Sequence, residues 1–346
     1  MTTPAEEIRR TDGPDRETIA DTRRRLAPYL VATPMMPWYG ATLPGLLGAG
    51  TEVRVKLELM QRTGSFKARG ALNVMMHLGA EQRARGVTAV SAGNHAIAVA
   101  YAAAELGVSA KVVMHKAASP FRVARARAYG AEVVLAEDIA AAFIEVTRLR
   151  DDEGRTLVHP FEGPLTFAGT ATVGAEILEQ APDLDAVVVP VGGGGLIAGV
   201  AAAVKQAAPD VQVFGVEPAG ARGLTMSLAA GAPVDKVPVD TIADSLGAPL
   251  HLPQSFDLVR RFVDDVVLVD DQAMIDAMDL SFHDLKLAVE PAGASALAAL
   301  LGPLRTRLDG RSVVLLASGS NIDSRRYCEL VARARPGALV TRRAAG

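Results

Sequence analysis

The sequence predicts an α/β protein with mainly parallel, open sheets covered by helices. Three observations lead there. Short β-branched runs alternate with alanine-rich stretches of helical period from about Arg16 onward, the succession expected of strand–helix–strand crossovers. Most of those runs are continuously apolar rather than alternating, as strands buried on both faces must be. The chain has 346 residues, 49% hydrophobic and 22% charged, enough for about two domains with cores of their own.

The elements follow in order. Residues 1–16 are polar, contain Gly13 and Pro14, and read as a loose tail. Glu6, Glu7, Arg9 and Arg10 leave no apolar stretch there for a signal peptide. A helical pattern covers 16–26. Strands are expected at 52–57, 87–91, 110–114, 132–135, 156–158, 186–191, 211–216, 266–269 and 312–317. One apolar helical pattern opens just after Gly64, and another runs to about Leu106. Ser119-Pro120 is a helix start, a capping hydroxyl followed by proline at the first helical position. Met60, Met75 and Met76 read as core. Residues 186–204 carry no charge and are long enough to suggest a membrane span. Pro190 and four consecutive glycines would break such a helix, so strand, loop and helix is the better reading, with no membrane partner. There is no internal repeat, and about twenty-five residues after Asn321 are too few for an appended regulatory domain.

Charge narrows the function. A net charge of −3 without a basic stripe argues against nucleic acid. The runs Arg23-Arg24-Arg25 and Arg122 to Arg127 sit at helical spacing and read as solvated faces. A single cysteine, Cys328, excludes an internal disulfide framework and fits a reducing, cytoplasmic compartment. The six histidines show no metal-ligand spacing, and no metal site is expected. No G-x-S-x-G elbow is present.

The most informative segment is Ser65-Phe66-Lys67-Ala68-Arg69-Gly70-Ala71. The chain has seven lysines against twenty-nine arginines, so solubility does not rest on lysine. A lysine beside an aromatic ring at a buried helix start asks for a chemical reason. Arginine cannot be deprotonated in a protein, whereas desolvated lysine can. A neutral amine attacks aldehydes, so Schiff-base chemistry is the leading idea.

Val191-Gly192-Gly193-Gly194-Gly195-Leu196 follows a strand and opens a helix. Four glycines let successive N–H groups converge on one anion at a helix N-terminus, which makes a phosphate cradle. Gly193, Gly195 and Ala198 also fit G-x-G-x-x-A, with Glu217 about twenty residues on. That keeps a nicotinamide-dependent oxidoreductase open, although it leaves Lys67 without a task. Ser91-Ala92-Gly93-Asn94-His95 lies between a strand and a helix and could hold a carboxylate. As an isolated motif it would be an ordinary helix cap. Ser318-Gly319-Ser320-Asn321 follows a buried strand, where α/β sheets place ligands; alone it would be a turn.

With these elements in order, the chain resembles the serine/threonine dehydratase family of fold type II pyridoxal-phosphate enzymes over roughly residues 26–323. Thr63-Gly64-Ser65-Phe66-Lys67, Ser91-Ala92-Gly93-Asn94-His95, the glycine loop, Glu290-Pro291 and Ser318-Gly319-Ser320-Asn321 carry the resemblance together. It implies a tryptophan synthase β-like fold of two open, mainly parallel sheets, with a small domain (79–159) inserted in a large one (17–78 and 160–346), usually as a homodimer. It implies pyridoxal 5′-phosphate as cofactor, held by Lys67 as a Schiff base. Phe66 would pack on the ring and Asn94 would bond its phenolate oxygen. Gly192, Gly193, Gly194, Gly195 and Leu196 would hold the phosphate, and Ser318 would bond the pyridine nitrogen. Ser91, Ala92, Gly93, Asn94 and His95 would hold the substrate carboxylate.

The implied reaction is loss of the β-hydroxyl from a small hydroxyamino acid, L-threonine or L-serine first, giving a 2-keto acid and ammonia. Lys67 would be the general base. A hydroxyl at Ser318 stabilises a protonated pyridine less than a carboxylate would, which favours prompt elimination. Members that racemise serine carry a hydroxyl residue where this chain has Ala92, so racemisation is disfavoured. Those relatives also bind a divalent metal through a glutamate, matched by Glu217, and an aspartate, where this chain has Gly223. Phe161 and Ser245 could reshape the side-chain pocket, leaving room for 3-hydroxyaspartate or phenylserine. Racemisation, β-replacement and pure ligand binding are the remaining alternatives.

Overall fold

A computed structural model describes residues 13–335. Its helices are α1 (Arg16–Leu26), α2 (Lys67–Met76), α3 (Ala80–Arg85), α4 (Asn94–Leu106), α5 (Pro120–Ala128), α6 (Ile139–Asp151), α7 (Pro164–Gln180), α8 (Gly195–Ala207), α9 (Gly223–Ala230), α10 (Pro253–Phe262), α11 (Asp271–Leu285), α12 (Pro291–Leu301) and α13 (Ser324–Val331). The strands are β1 (Met35–Pro37), β2 (Glu52–Lys56), β3 (Val87–Val90), β4 (Ala110–His115), β5 (Glu132–Ala136), β6 (Thr156–Leu157), β7 (Ala186–Pro190), β8 (Gln212–Pro218), β9 (Asp265–Val269) and β10 (Ser312–Leu316).

They form a six-stranded sheet, β1-β2-β10-β7-β8-β9, and a four-stranded sheet, β5-β4-β3-β6. Every pairing is parallel except that of β1 with β2. The apolar runs explain this. Along β7, Ala186 and Val188 face one core while Val187 and Val189 face another; along β10, Val313 and Leu315 part in the same way from Val314 and Leu316. Successive side chains point to opposite faces, so a strand buried on both faces has no polar position to offer. A separate core packs α2 and α4 on the four-stranded sheet.

All nine expected strands are present, with ends moved by up to two residues. The tenth, β1, was not foreseen: it has three residues, too few to show a period, and ends on Pro37 at the sheet edge, where the missing N–H is tolerated. The first helix begins at Arg16, where the Asp15 side chain accepts from Thr18 N–H at 2.7 Å. Of the expected tail, residues 1–12 lie outside the described part.

Three expectations need correction. Ser119 precedes α5, but its side chain makes no capping bond, and Pro120 alone marks the start. Met75 is fully buried, whereas Met60 is 46% exposed because its short 3-10 turn carries it outward. Arg122 is not on a solvated face: it is 6% exposed and reaches inward. Helical spacing gives the angular position of a side chain, not what lies beyond its reach. Among the described residues no helix is long and apolar enough to cross a membrane.

Candidate active site

Three of the loops that carry the motifs follow carboxyl ends of parallel strands, where open α/β sheets bind ligands. β7 runs into the glycine loop, β10 into Ser318, and β3 into Ser91. Lys67 opens α2 just after Gly64, whose φ of +74° only glycine adopts without strain; a Cβ there would also approach Asn321 Oδ1 to 2.8 Å. The two chain-distant loops are stitched together. Ser65 forms a bridge with Gly319, Phe66 N–H donates to the Ser318 carbonyl at 3.2 Å, and Ser320 N–H donates to the Gly64 carbonyl at 2.9 Å.

An open cavity of about 440 Å³ results. Phe66, Lys67, Asn94, the four glycines 192–195, Leu196 and Ser318 all line it, together with Phe161, Ser245, Leu246, Glu290 and Ala292. A smaller hollow of about 250 Å³ lies beside Lys67, walled by His95, His159, Pro160, Thr166 and Thr170. Ser91, Ala92 and Gly93 line neither space and are half-buried beside Asn94.

Lys67 Nζ donates to the Pro160 carbonyl at 2.5 Å and sits 5.1 Å from the Phe66 ring centroid. Burial lowers its amine from the ordinary 10.5 to about 8. Both neighbouring imidazoles are held neutral. His95 drops to about 3 through burial and then the Lys67 charge, and its Nε2 lies 2.8 Å from the Val158 carbonyl. His159 drops to about 4 for the same two reasons, and its Nδ1 accepts from Phe161 and Glu162 N–H at 3.3 and 3.0 Å.

The residues fit a phosphorylated cofactor on two counts. Among the described residues no protein acceptor takes the N–H groups of Gly192, Gly193 or Gly194, and those of Gly195 and Leu196 stand free at the first turn of α8. Such converging donors at a helix N-terminus make an anion site. The loop is also closed to side chains: a Cβ on Gly193 would overlap the Phe161 ring, and one on Gly195 the Phe161 carbonyl. Gly194, at φ +90°, shapes the turn. A similar set of free donors, Ala92, Asn94 and His95 N–H, opens α4, while Gly93 N–H turns back to Ser91 Oγ at 3.2 Å.

Asn94 is tied on both sides. Its Oδ1 accepts from Asn321 Nδ2 at 2.7 Å, and its Nδ2 donates to Glu290 Oε1 at 2.6 Å. Arg122 closes the cluster from α5, donating through Nε to the Asn321 carbonyl at 2.8 Å and through its terminal nitrogens to Asp244 and Glu290. Glu217 has different work. It accepts from Leu224 N–H, Thr225 N–H and Thr225 Oγ1 at 2.7–2.8 Å, fastening the start of α9.

Sequence reasoning missed His159, Pro160 and Arg122 as parts of this site. The first two follow β6, so the rule about strand ends would have found them. Nothing local marks Arg122 among the arginines around it.

Residues 30–319 match the family described as pyridoxal-phosphate dependent enzyme. The chain is 52% identical over 312 residues to a phenylserine dehydratase from Ralstonia pickettii, covering 90% of this chain and 94% of that one. It is 40% identical over 275 residues to an L-threonine ammonia-lyase from Thermotoga maritima, covering 79% and 68%. Maize serine racemase superposes with a TM-score of 0.84 at 36% identity, covering 92% of this chain and 98% of that one. With the lysine, the glycine loop and the strand-end loops already converging on one cavity, the matches place this chain in the serine/threonine dehydratase family of fold type II pyridoxal-phosphate-dependent enzymes.

Proposed function

We propose that this protein is a hydroxyamino-acid ammonia-lyase that removes the β-hydroxyl of a 3-hydroxy-2-amino acid, with hydrolysis of the product giving a 2-keto acid and ammonia. The observation that supports this best is the meeting of a partly neutral Lys67 with the glycine loop, Ser318 and Asn94 in one cavity. Bound pyridoxal 5′-phosphate supplies an electron sink for negative charge at Cα. Lys67 would hold it covalently through its amine, and the free amine would take the Cα proton, a task suited to a group that titrates near 8. The N–H groups of 192–196 would hold the phosphate, Phe66 would pack on the ring, Asn94 would donate to its oxygen, and the Ser318 hydroxyl would meet its nitrogen. Residues 91–95 receive the substrate carboxylate on the free N–H groups of Ala92, Asn94 and His95. Ala92 has no proton to deliver to the opposite face of Cα, which favours elimination over racemisation.

The wall of the cavity bears on the side chain. Phe66, Phe161, Leu246 and Ala292 are apolar, and Lys67 is its only cation among the described residues. A second carboxylate, as in 3-hydroxyaspartate, finds no second cation there and shares the cavity with the Glu290 carboxylate. An aryl or alkyl β-substituent finds apolar partners there, in keeping with the 52% likeness to a phenylserine dehydratase. We assign residues 17–78 and 160–346 to a large domain and 79–159 to a small one. The expected assembly is a homodimer, and the expected compartment is the cytoplasm, in keeping with one free cysteine.

Keto-acid formation from phenylserine, L-threonine, L-serine and 3-hydroxyaspartate tests the reading, together with borohydride reduction of the yellow protein. The expected order is phenylserine, then threonine, then serine, with little from 3-hydroxyaspartate, and the reduced adduct on Lys67. A cofactor-loaded protein that forms no keto acid from any of the four, or yields mainly the D-isomer, overturns it.

A further inference from the structure

Arg122 is a buried charge, 6% exposed, and neither composition nor helical spacing accounts for it. It stands in the first turn of α5, in the segment that builds the four-stranded sheet, yet all its partners belong to residues 244–321. Its side chain is 7% exposed; that of Glu290 is 2% exposed, and that of Asp244 is 63% exposed. The buried carboxylate is therefore the demanding partner, and the exposed one the outer anchor. Burial pushes the Glu290 carboxyl up, and the Arg122 charge opposes that.

Glu290 in turn governs Asn94. An ionised carboxylate only accepts, and the Asn321 amide nitrogen only donates, so the two fix which end of the Asn94 amide points which way. The oxygen must face Asn321 and the nitrogen Glu290. One N–H of Asn94 is spent on Glu290. The other is donated to the Ser245 hydroxyl at 3.3 Å, on the wall of the same cavity that Lys67 lines. Arg122 also lies under the substrate loop: a Cβ on Gly93 would come 3.6 Å from one of its terminal nitrogens.

We propose that Arg122 is a positioning residue that fixes Glu290 and, through it, holds the Asn94 amide with one N–H turned into the cavity beside Lys67. The family resemblance supplies a role for Asn94 but not for what aims it. The inference rests on Asn94 addressing the cofactor, so Asn94→Ala is measured alongside.

The test uses the full-length holoenzyme and three variants: Arg122→Gln, Glu290→Gln and the pair. The readouts are the absorption maximum of the bound cofactor, the pH midpoint of that band, the dissociation constant for pyridoxal 5′-phosphate by equilibrium dialysis, and kcat apart from KM. Arg122→Gln is expected to shift the band and weaken cofactor binding by about tenfold, the middle of the range for coupled neighbours. The double variant is expected to be no worse than Glu290→Gln alone, because the two act in series. Arg122→Lys, which keeps the charge, is expected to restore the band. A band and dissociation constant within twofold of the parent in Arg122→Gln, while Asn94→Ala shifts both, overturns the relay and leaves the cofactor role of Asn94 standing. Effects that multiply in the double variant also overturn it. If Arg122→Gln does not fold, Glu290→Gln decides: an unchanged band there refutes the proposal.

Discussion

The amine of Lys67 offers the sharpest quantitative test. Burial alone brings it from 10.5 to about 8. At pH 7 an ordinary lysine is neutral in about 0.03% of molecules, and one titrating near 8 in about 10%, a ratio of about 300. Nucleophilic attack needs the neutral form. In cofactor-free protein, a limiting acylating reagent should therefore label Lys67 about tenfold faster per pH unit up to 8, and at a constant rate above it. Peptide mass spectrometry across pH 6–10 reads this, with the exposed Lys236 as internal standard and pyridoxal 5′-phosphate as protecting ligand. The direction follows from the sign of the shift: a lowered lysine is charged below 8 and neutral above it. A labelling rate at Lys67 that climbs without a break to pH 10 would refute the reasoning, because the amine would then be solvated like any surface lysine.

Three further outcomes follow from the same geometry. Gly195→Ala forces a methyl group onto the Phe161 carbonyl, which is backbone and cannot swing aside; an overpacking cost of about 1–3 kcal/mol should appear as weaker cofactor binding in equilibrium dialysis, and unchanged affinity would count against the cradle. Glu217→Ala strands the N–H groups of Leu224 and Thr225 and should lower unfolding free energy by about 1–3 kcal/mol in urea titration, while a chelator leaves activity untouched; loss of activity with the chelator would return Glu217 to a metal role. Ser318→Asp places a carboxylate at the end of β10 and should reduce elimination relative to reversible Cα proton exchange, read as deuterium incorporation into recovered substrate; full elimination with no added exchange would tell against the role given to the hydroxyl.

The parallel sheets were legible because β7 and, after Ser312, β10 carry only apolar side chains on both faces, a constraint visible one strand at a time. The glycine loop and the lysine were legible for a similar reason: each is a local departure from what folding needs, four glycines between two apolar elements and a lone lysine beside a ring. β1 escaped because three residues carry no period. The outward turn of Met60 escaped because a short 3-10 segment has no fixed buried face.

The positions of the strands along the chain, the glycine loop and the lysine expected to be the nucleophile were thus written in the chain itself, since backbone hydrogen bonding and burial act over a few neighbouring residues. What only the folded molecule decided is which distant groups meet. Arg122 and Asn321 lie 199 positions apart, and the Asn94 amide is aimed by Glu290 from 196 positions away. A hydrogen bond is specified by angle and distance in space, and no spacing along the sequence encodes that until the two sheets have come together.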